Sequence, residues 1–379
     1  MGPLDRRRAV IELATRARSG GPVRDALEDG LAATSGLHST SVDRLVDLWL
    51  RSLKPDAIDT WLAAMSSKSA VDVAGVVAPG NLFVATWTAV LEPWLRGCRV
   101  IVRPSTRDPV APQNLANALG IIDSSFAGTI VDDLFDRRDT RSWARFFARV
   151  GAVAIYGSDE ALDEIAAHAG PGSPPLRRHG HKVSIGYLSA QDWQSLATDP
   201  ALCEAIAHDA LLADGRGCMS LRALVVEGAP QRNADSLAAL AAAVEVVARR
   251  LPAGTIATAI TAGRRMSVEQ ARLDAAIGGN GVVIEFGDAW LVVDAVARPT
   301  IDTPALGPGS RVLQVLGGPS WRGLAAFLAP LTGHWSTLAS VDGAHAAVFD
   351  RGCVFGAMQQ PDVDRDPDGH AVGAVFDAR

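Results

Sequence analysis

From Val71 onward the chain repeats one unit: a short run rich in Val and Ile, a turn residue, then a longer helix-like segment. "VDVAGVVAPG", "CRVIVRPS", "AGTIVD" and "GAVAIYGS" read as strands, with "LFVATWTAVLEPWLRG" and "DPVAPQNLANALGII" as helices between them. Strands buried on both faces read as continuous apolar runs, and parallel neighbours need a crossover of about a dozen residues. The pattern therefore predicts an α/β fold built on parallel sheets. "HKVSIGYL" closes this series. A second one follows with "RALVVEG", "NGVVIEF" and "AWLVVDAV", and an Ala-rich helix, "SLAALAAAVEVVARRL", between the first two. The expected division is a helical segment at 1–70, one α/β unit at 71–200, a second at 201–345 and a Pro-, Asp- and Gly-rich tail at 346–379.

The 379 residues suffice for two domains of ordinary size. The net charge of -6 gives no electrostatic footprint for nucleic acid or an anionic membrane. Val73 to Leu91 is uncharged, but Pro79, Gly80 and Asn81 interrupt it, so it reads as strand, turn and helix rather than a membrane span. "DRRRAVIELATRARSG" reads as a solvated helix and not as a signal peptide. Four widely spaced cysteines without a C-x-x-C pair fit free thiols in a reducing cytoplasm.

Phosphate-loop, zincin and serine-hydrolase signatures do not occur. His179 and His181 in "HGH" have no Cys, Asp or Glu at ligand spacing, which favours a structural role over a metal. Cys218 is the outstanding candidate for chemistry. It follows Gly215 and Gly217 and precedes a strand, which suits a nucleophile that a substrate must approach closely. A small buried hydrophobe in a turn is the other reading of the same residues.

The order "VVAPGNLFVATW … CRVIVRPST … VAIYGSDEAL … RRHGHKVSIGYL … GRGCMSL" resembles the aldehyde dehydrogenase superfamily over residues 71 to 379. Within it the chain most resembles the acyl-CoA reductases, the fatty-acid reductase component of bacterial bioluminescence, through "GHKVSIGYL" and the tail "GAMQQPDVDRDPDGH". The resemblance implies an aldehyde-dehydrogenase-like fold of nucleotide-binding and catalytic α/β domains with a cleft between them. It makes Cys218 the nucleophile and Asn81 an oxyanion donor. Arg103, Ser105 and Thr106 would meet the cofactor's ribose, and Gly157 and Ser158 its pyrophosphate.

The implied reaction is reduction of an acyl thioester, carried by CoA or a carrier protein, to an aldehyde with NADPH, NADH being possible. A homodimer and an acyl-transferring partner enzyme are also implied. Three departures stand out. Arg103 replaces the usual Lys, Arg178 falls where hydrolytic relatives hold a Glu, and Pro304 replaces the Glu that grips the nicotinamide ribose. They leave room for a second reading: a protein that binds or transfers acyl chains without redox chemistry.

Overall fold

A computed structural model describes residues 3–64, 71–255, 258–278, 281–294, 300–301, 306, 310–363 and 374–376. The chain forms two units. The first comprises Met1–Gly36, Val42–His181 and Gln360–Arg379, and the second Leu37–Ser41 and Lys182–Gln359.

The first unit holds β1 (Val73–Val77), β2 (Arg99–Arg103), β3 (Ile130–Asp132), β4 (Ala152–Tyr156) and β5 (Leu176–His179) in the order β3-β2-β1-β4-β5. Every pairing is parallel. The order reverses between β1 and β4, so the loops leaving their C-terminal ends diverge and open a crevice for a ligand. Trp143, Phe146, Val153 and Ile155 form part of the core on one face. Trp143 and Phe146 come from the helix Thr140–Phe147, whose N-cap Asp139 accepts from the amides of Arg141 and Ser142. The N-terminal helices pack on this unit. Arg6, for example, donates to the Cys98 carbonyl at 2.7 Å.

The second unit holds β6 (Val183–Leu188), β7 (Leu221–Glu227), β8 (Val282–Phe286), β9 (Ala289–Val293), β10 (Val312–Gly318), β11 (Trp335–Ser340) and β12 (Arg351–Val354). Their order is β12-β11-β6-β7-β10-β9-β8, parallel throughout except for the hairpin β8–β9. All six residues of β6 are buried, as a central parallel strand requires.

The expected boundary at 200/201 shifts to 181/182. The physical reason is pairing: β6 lies between β7 and β11 and so belongs to the second sheet. The tail also divides. β12 joins the second sheet, whereas Phe376 is buried against Ala152 and Ala154 of β4.

Candidate active site

The second unit builds a rigid seat for Cys218. The helix Pro200–Leu211 ends in a tight turn in which Ala213, Asp214 and Gly215 all have positive φ, and Cys218 follows in the turn before β7. Two hydroxyls fix that turn. Ser184 on β6 donates to the Cys218 carbonyl at 2.7 Å and accepts from the Thr337 amide at 3.0 Å. Ser220 accepts from the Gly217 amide at 3.1 Å and from the Gln359 side chain at 2.8 Å.

A buried ionic latch holds the approach to the turn. Arg311 is fully buried and donates to Asp214 at 3.3 Å and, from two nitrogens, to Asp288 at 3.1 and 2.9 Å. Asp214 also accepts from the Gly254 amide and Asp288 from the Ala253 amide. Among the described residues, the non-glycine positions with positive φ are Ala213, Asp214, Ser310 and Arg311. All four flank this latch. A Cβ at Gly215 would lie 3.0 Å from the Ala210 carbonyl and 3.2 Å from the Ser310 amide, so a larger residue there would force the two segments apart. Strain concentrated in this way needs surroundings that over-determine it.

The four thiols differ in kind. Cys98, Cys203 and Cys353 are buried and Cys218 is not. Burial pushes the Cys203 and Cys353 thiols up to about 11. The Arg222 guanidinium, four residues beyond Cys218, is lowered by burial, and the Cys218 sulfur acts on it in the opposite direction. Asp209, on the helix leading to the turn, is pushed up to about 7 by burial, although it accepts from the amides of Gly356 and Met358 at 2.6 and 3.3 Å.

In the first unit, the residues expected to meet the cofactor lie at the C-terminal ends of β2 and β4, on the two sides of the strand-order reversal, and Asn81, the expected oxyanion donor, follows β1. A Cβ at Gly80 would lie 2.5 Å from the Ser105 Oγ, so the loops after β1 and β2 touch and a side chain at position 80 would displace the Ser105 hydroxyl. Asn81 is half-buried, and its Oδ1 accepts from the Leu82 amide at 3.0 Å, which sets the orientation of the side-chain amide. Ser105 is half-buried and Thr106 exposed. Gly157 leads into the helix Asp159–Ala167, and the Ser158 hydroxyl is engaged as its N-cap, accepting from the Ala161 amide. This arrangement of loops and glycines fits a dinucleotide.

Arg103 is the exception among these residues. It is buried, donates to the Phe135 carbonyl at 3.1 Å and lies over the Phe135 and Trp143 rings at 5.3 and 5.5 Å. The exposed Arg107 has its Cδ 3.8 Å from where a Cβ at Gly80 would lie, with its amide held by the Ser105 hydroxyl.

His179 stacks on Tyr156 at 4.2 Å, and the His181 amide bonds to Asp159, so "HGH" ties β5 to the neighbouring helix. Among the described residues no three His, Cys, Asp or Glu side chains gather as a metal site. Arg178 pairs with Asp163. Glu227 stands at the far end of β7 from Cys218 and accepts from the Ala190 amide. Pro304 lies outside the described residues.

Ser184, Gln359, Arg222, Asp209 and the Arg311 latch are absent from the sequence reading. Asp209 did carry a signal, because it interrupts the apolar end of the helix Pro200–Leu211 with a charge.

The folded chain is similar to solved aldehyde dehydrogenases. Relative to the NAD-dependent benzaldehyde dehydrogenase of Corynebacterium glutamicum it is 14% identical, covering 90% of this chain and 75% of that one, with a TM-score of 0.63. For the aldehyde dehydrogenase KauB of Pseudomonas aeruginosa the values are 15%, 90%, 72% and 0.65. For an indole-3-acetaldehyde dehydrogenase solved with NAD⁺ they are 17%, 90%, 72% and 0.61. The fold is therefore that of the aldehyde dehydrogenases, enzymes that work with a nicotinamide cofactor. No curated protein sequence matches the chain. Residues 32–368 match the acyl-CoA reductase (LuxC) family, and the chain belongs to it. It is an oxidoreductase that reduces an acyl thioester to an aldehyde with NAD(P)H. No helix among the described residues is long and apolar enough to cross a membrane.

Proposed function

We propose that Cys218 carries the acyl group through this reaction. The observation that supports this most is its seat: the one thiol of the four that is not buried stands in a turn pinned by Ser184, Ser220 and the Arg311 latch. The Cys218 thiolate attacks the thioester carbonyl, forming the new C–S bond, and the carbonyl electrons move to oxygen. Collapse of that oxyanion breaks the old C–S bond, and the CoA or carrier-protein thiolate leaves. The Arg222 guanidinium lies close enough to interact electrostatically with the Cys218 sulfur. The Cys218 amide serves as a donor to the oxyanion, which arises when the thiolate attacks and again when the acyl-enzyme is reduced, and the family resemblance offers the Asn81 side chain for the same role. A nicotinamide cofactor, when bound, would supply the hydride that reduces the acyl-enzyme. Return of the oxyanion electrons to the carbonyl then expels the Cys218 thiolate and releases the aldehyde.

The proposal includes NADPH as a reductant accepted at least as well as NADH. Thr106 is exposed after β2 where NAD-specific relatives place a carboxylate, and Arg107 beside it is exposed. Arg107 replaces the buried Arg103 as the cation for a 2′-phosphate. The proposal also covers a homodimer in a reducing cytoplasm, receiving its acyl group from CoA, a carrier protein or a partner enzyme.

Hydrolysis of the acyl-enzyme is expected to be slow. Arg178 cannot accept a proton near neutral pH, and Glu227 stands at the far end of its strand. The test is a single turnover. Enzyme acylated without cofactor and freed of excess thioester should keep its acyl group in buffer and release aldehyde when NADPH is added. Rapid loss as free acid would reject the assignment.

A further inference from the structure

We propose that a pocket between the helix Thr258–Gly278 and the hairpin β8–β9 binds a small molecule through one phosphate group, held by Arg264 and Arg265. The pocket has a volume of about 400 Å³, within the range of small-ligand sites. Arg264 lines it and is only 7% exposed. Its Nε and Nη1 are buried with no hydrogen-bond partner, and its guanidinium lies over the Trp290 ring at 4.3 Å.

Other buried arginines in the chain show what packing alone produces. Arg6 and Arg103 likewise leave Nε buried and unpartnered, but each donates through a terminal nitrogen, Arg6 to the Cys98 carbonyl and Arg103 to the Phe135 carbonyl, and Arg311 donates to two carboxylates. Among the described residues Arg264 has no such acceptor. Buried charged donors are ordinarily paired, so an acceptor from outside the chain completes this site.

The nearby acids are engaged elsewhere. Asp288 accepts from Arg311 and from the Ala253 amide, and Glu269 and Glu285 both pair with Arg272. Arg265 also lines the pocket, is exposed, and has no ion pair among the described residues. A phosphate monoester brings three acceptor oxygens for donors on two adjacent guanidiniums, a stronger match than a planar carboxylate. Glu269, Glu285 and Asp288 border the same space and oppose further negative charge, which favours a single phosphate over a polyphosphate chain. The inference does not depend on the chemistry at Cys218.

Calorimetric titration of the full chain, with NADPH saturating so that the cofactor site is filled, tests it with two probes: inorganic phosphate and adenosine 3′,5′-bisphosphate. One probe molecule should bind per chain. Arg264→Gln should weaken binding by about tenfold or more, Arg264→Lys should recover part of the loss, and Arg265→Gln should weaken binding less. If Arg264→Gln does not fold, Arg265→Gln, on an exposed side chain, carries the test. Equal affinity for the two probes identifies a free phosphate or simple ester as the ligand class, and a bisphosphate preference of about tenfold identifies a nucleotide phosphate. Failure of both probes to bind, or binding unchanged in both Gln variants, overturns the proposal.

Discussion

The two sheets position function by different means. In the first unit the residues of interest follow strand ends, and backbone shape does most of the placing: Gly80 against Ser105, Asn81 turned by its neighbour's amide, Ser158 capping a helix. In the second, Cys218 is placed by side chains far apart in sequence. Ser184, Gln359, Asp214 and Arg311 span much of the unit, and each acts on the few residues around one thiol. A site made from strand ends tolerates change beneath it, whereas one made from buried polar pairs depends on each partner. The difference predicts where mutations do most damage.

The largest effect is expected at the latch. Arg311→Met leaves Asp214 buried without its cation, and breaking such a pair costs about 3–5 kcal/mol. Denaturant unfolding should show this loss, and hydrogen exchange should rise across residues 212–218. A loss below about 1 kcal/mol, the scale of an exposed pair, would mean that the latch contributes little.

Next comes the backbone-built half. Asn81→Ala should lower kcat by about 10²–10³ while the protein stays folded, the usual cost of removing one oxyanion donor. Unchanged turnover would reduce Asn81 to a turn residue.

A smaller effect is expected at Ser184→Ala. It strips a partner from both the Cys218 carbonyl and the Thr337 amide, a cost of about 1–3 kcal/mol for buried groups. Ser184→Thr, which keeps the hydroxyl, should recover part of it. Equal stability of the Ala variant and wild type would argue that neither bond matters.

The subtlest test uses pH. Asp209 is raised above its ordinary carboxylate value, so the neutral form is favoured in the folded state. Its contribution is complete at acid pH, below the unfolded value, and is lost as pH rises through about 7. The stability gap between wild type and Asp209→Asn should therefore narrow from pH 5 to pH 8. A gap that widens would show that the Gly356 and Met358 amides outweigh burial.

Sequence made the first half of this comparison legible and hid most of the second. Short apolar strands with glycine or proline at their ends, such as "VVAPGN" and "AIYGS", state their own geometry, because turn residues act locally. Even there the boundary shifted. Nothing local in "HKVSIGYL" tells whether β6 pairs with the first sheet or with β7 and β11. The identity of Arg103 was plain, yet its burial over Phe135 and Trp143 depends on a helix some 40 residues away that the sequence reading passed over. Arg311 and Asp214 are 97 residues apart, and no periodicity connects them. Cys218 itself was legible because its glycines lie beside it; the residues that hold it were not, because they are neighbours only after folding.

The account centres on the acylation of Cys218, and the most direct measurement is a peptide-level mass spectrum of the protein after incubation with an acyl-CoA and no cofactor. One acyl group per chain on the peptide containing Cys218, absent in Cys218→Ala, is the predicted result. An adduct on Cys98, Cys203 or Cys353, or one that persists in Cys218→Ala, would contradict it.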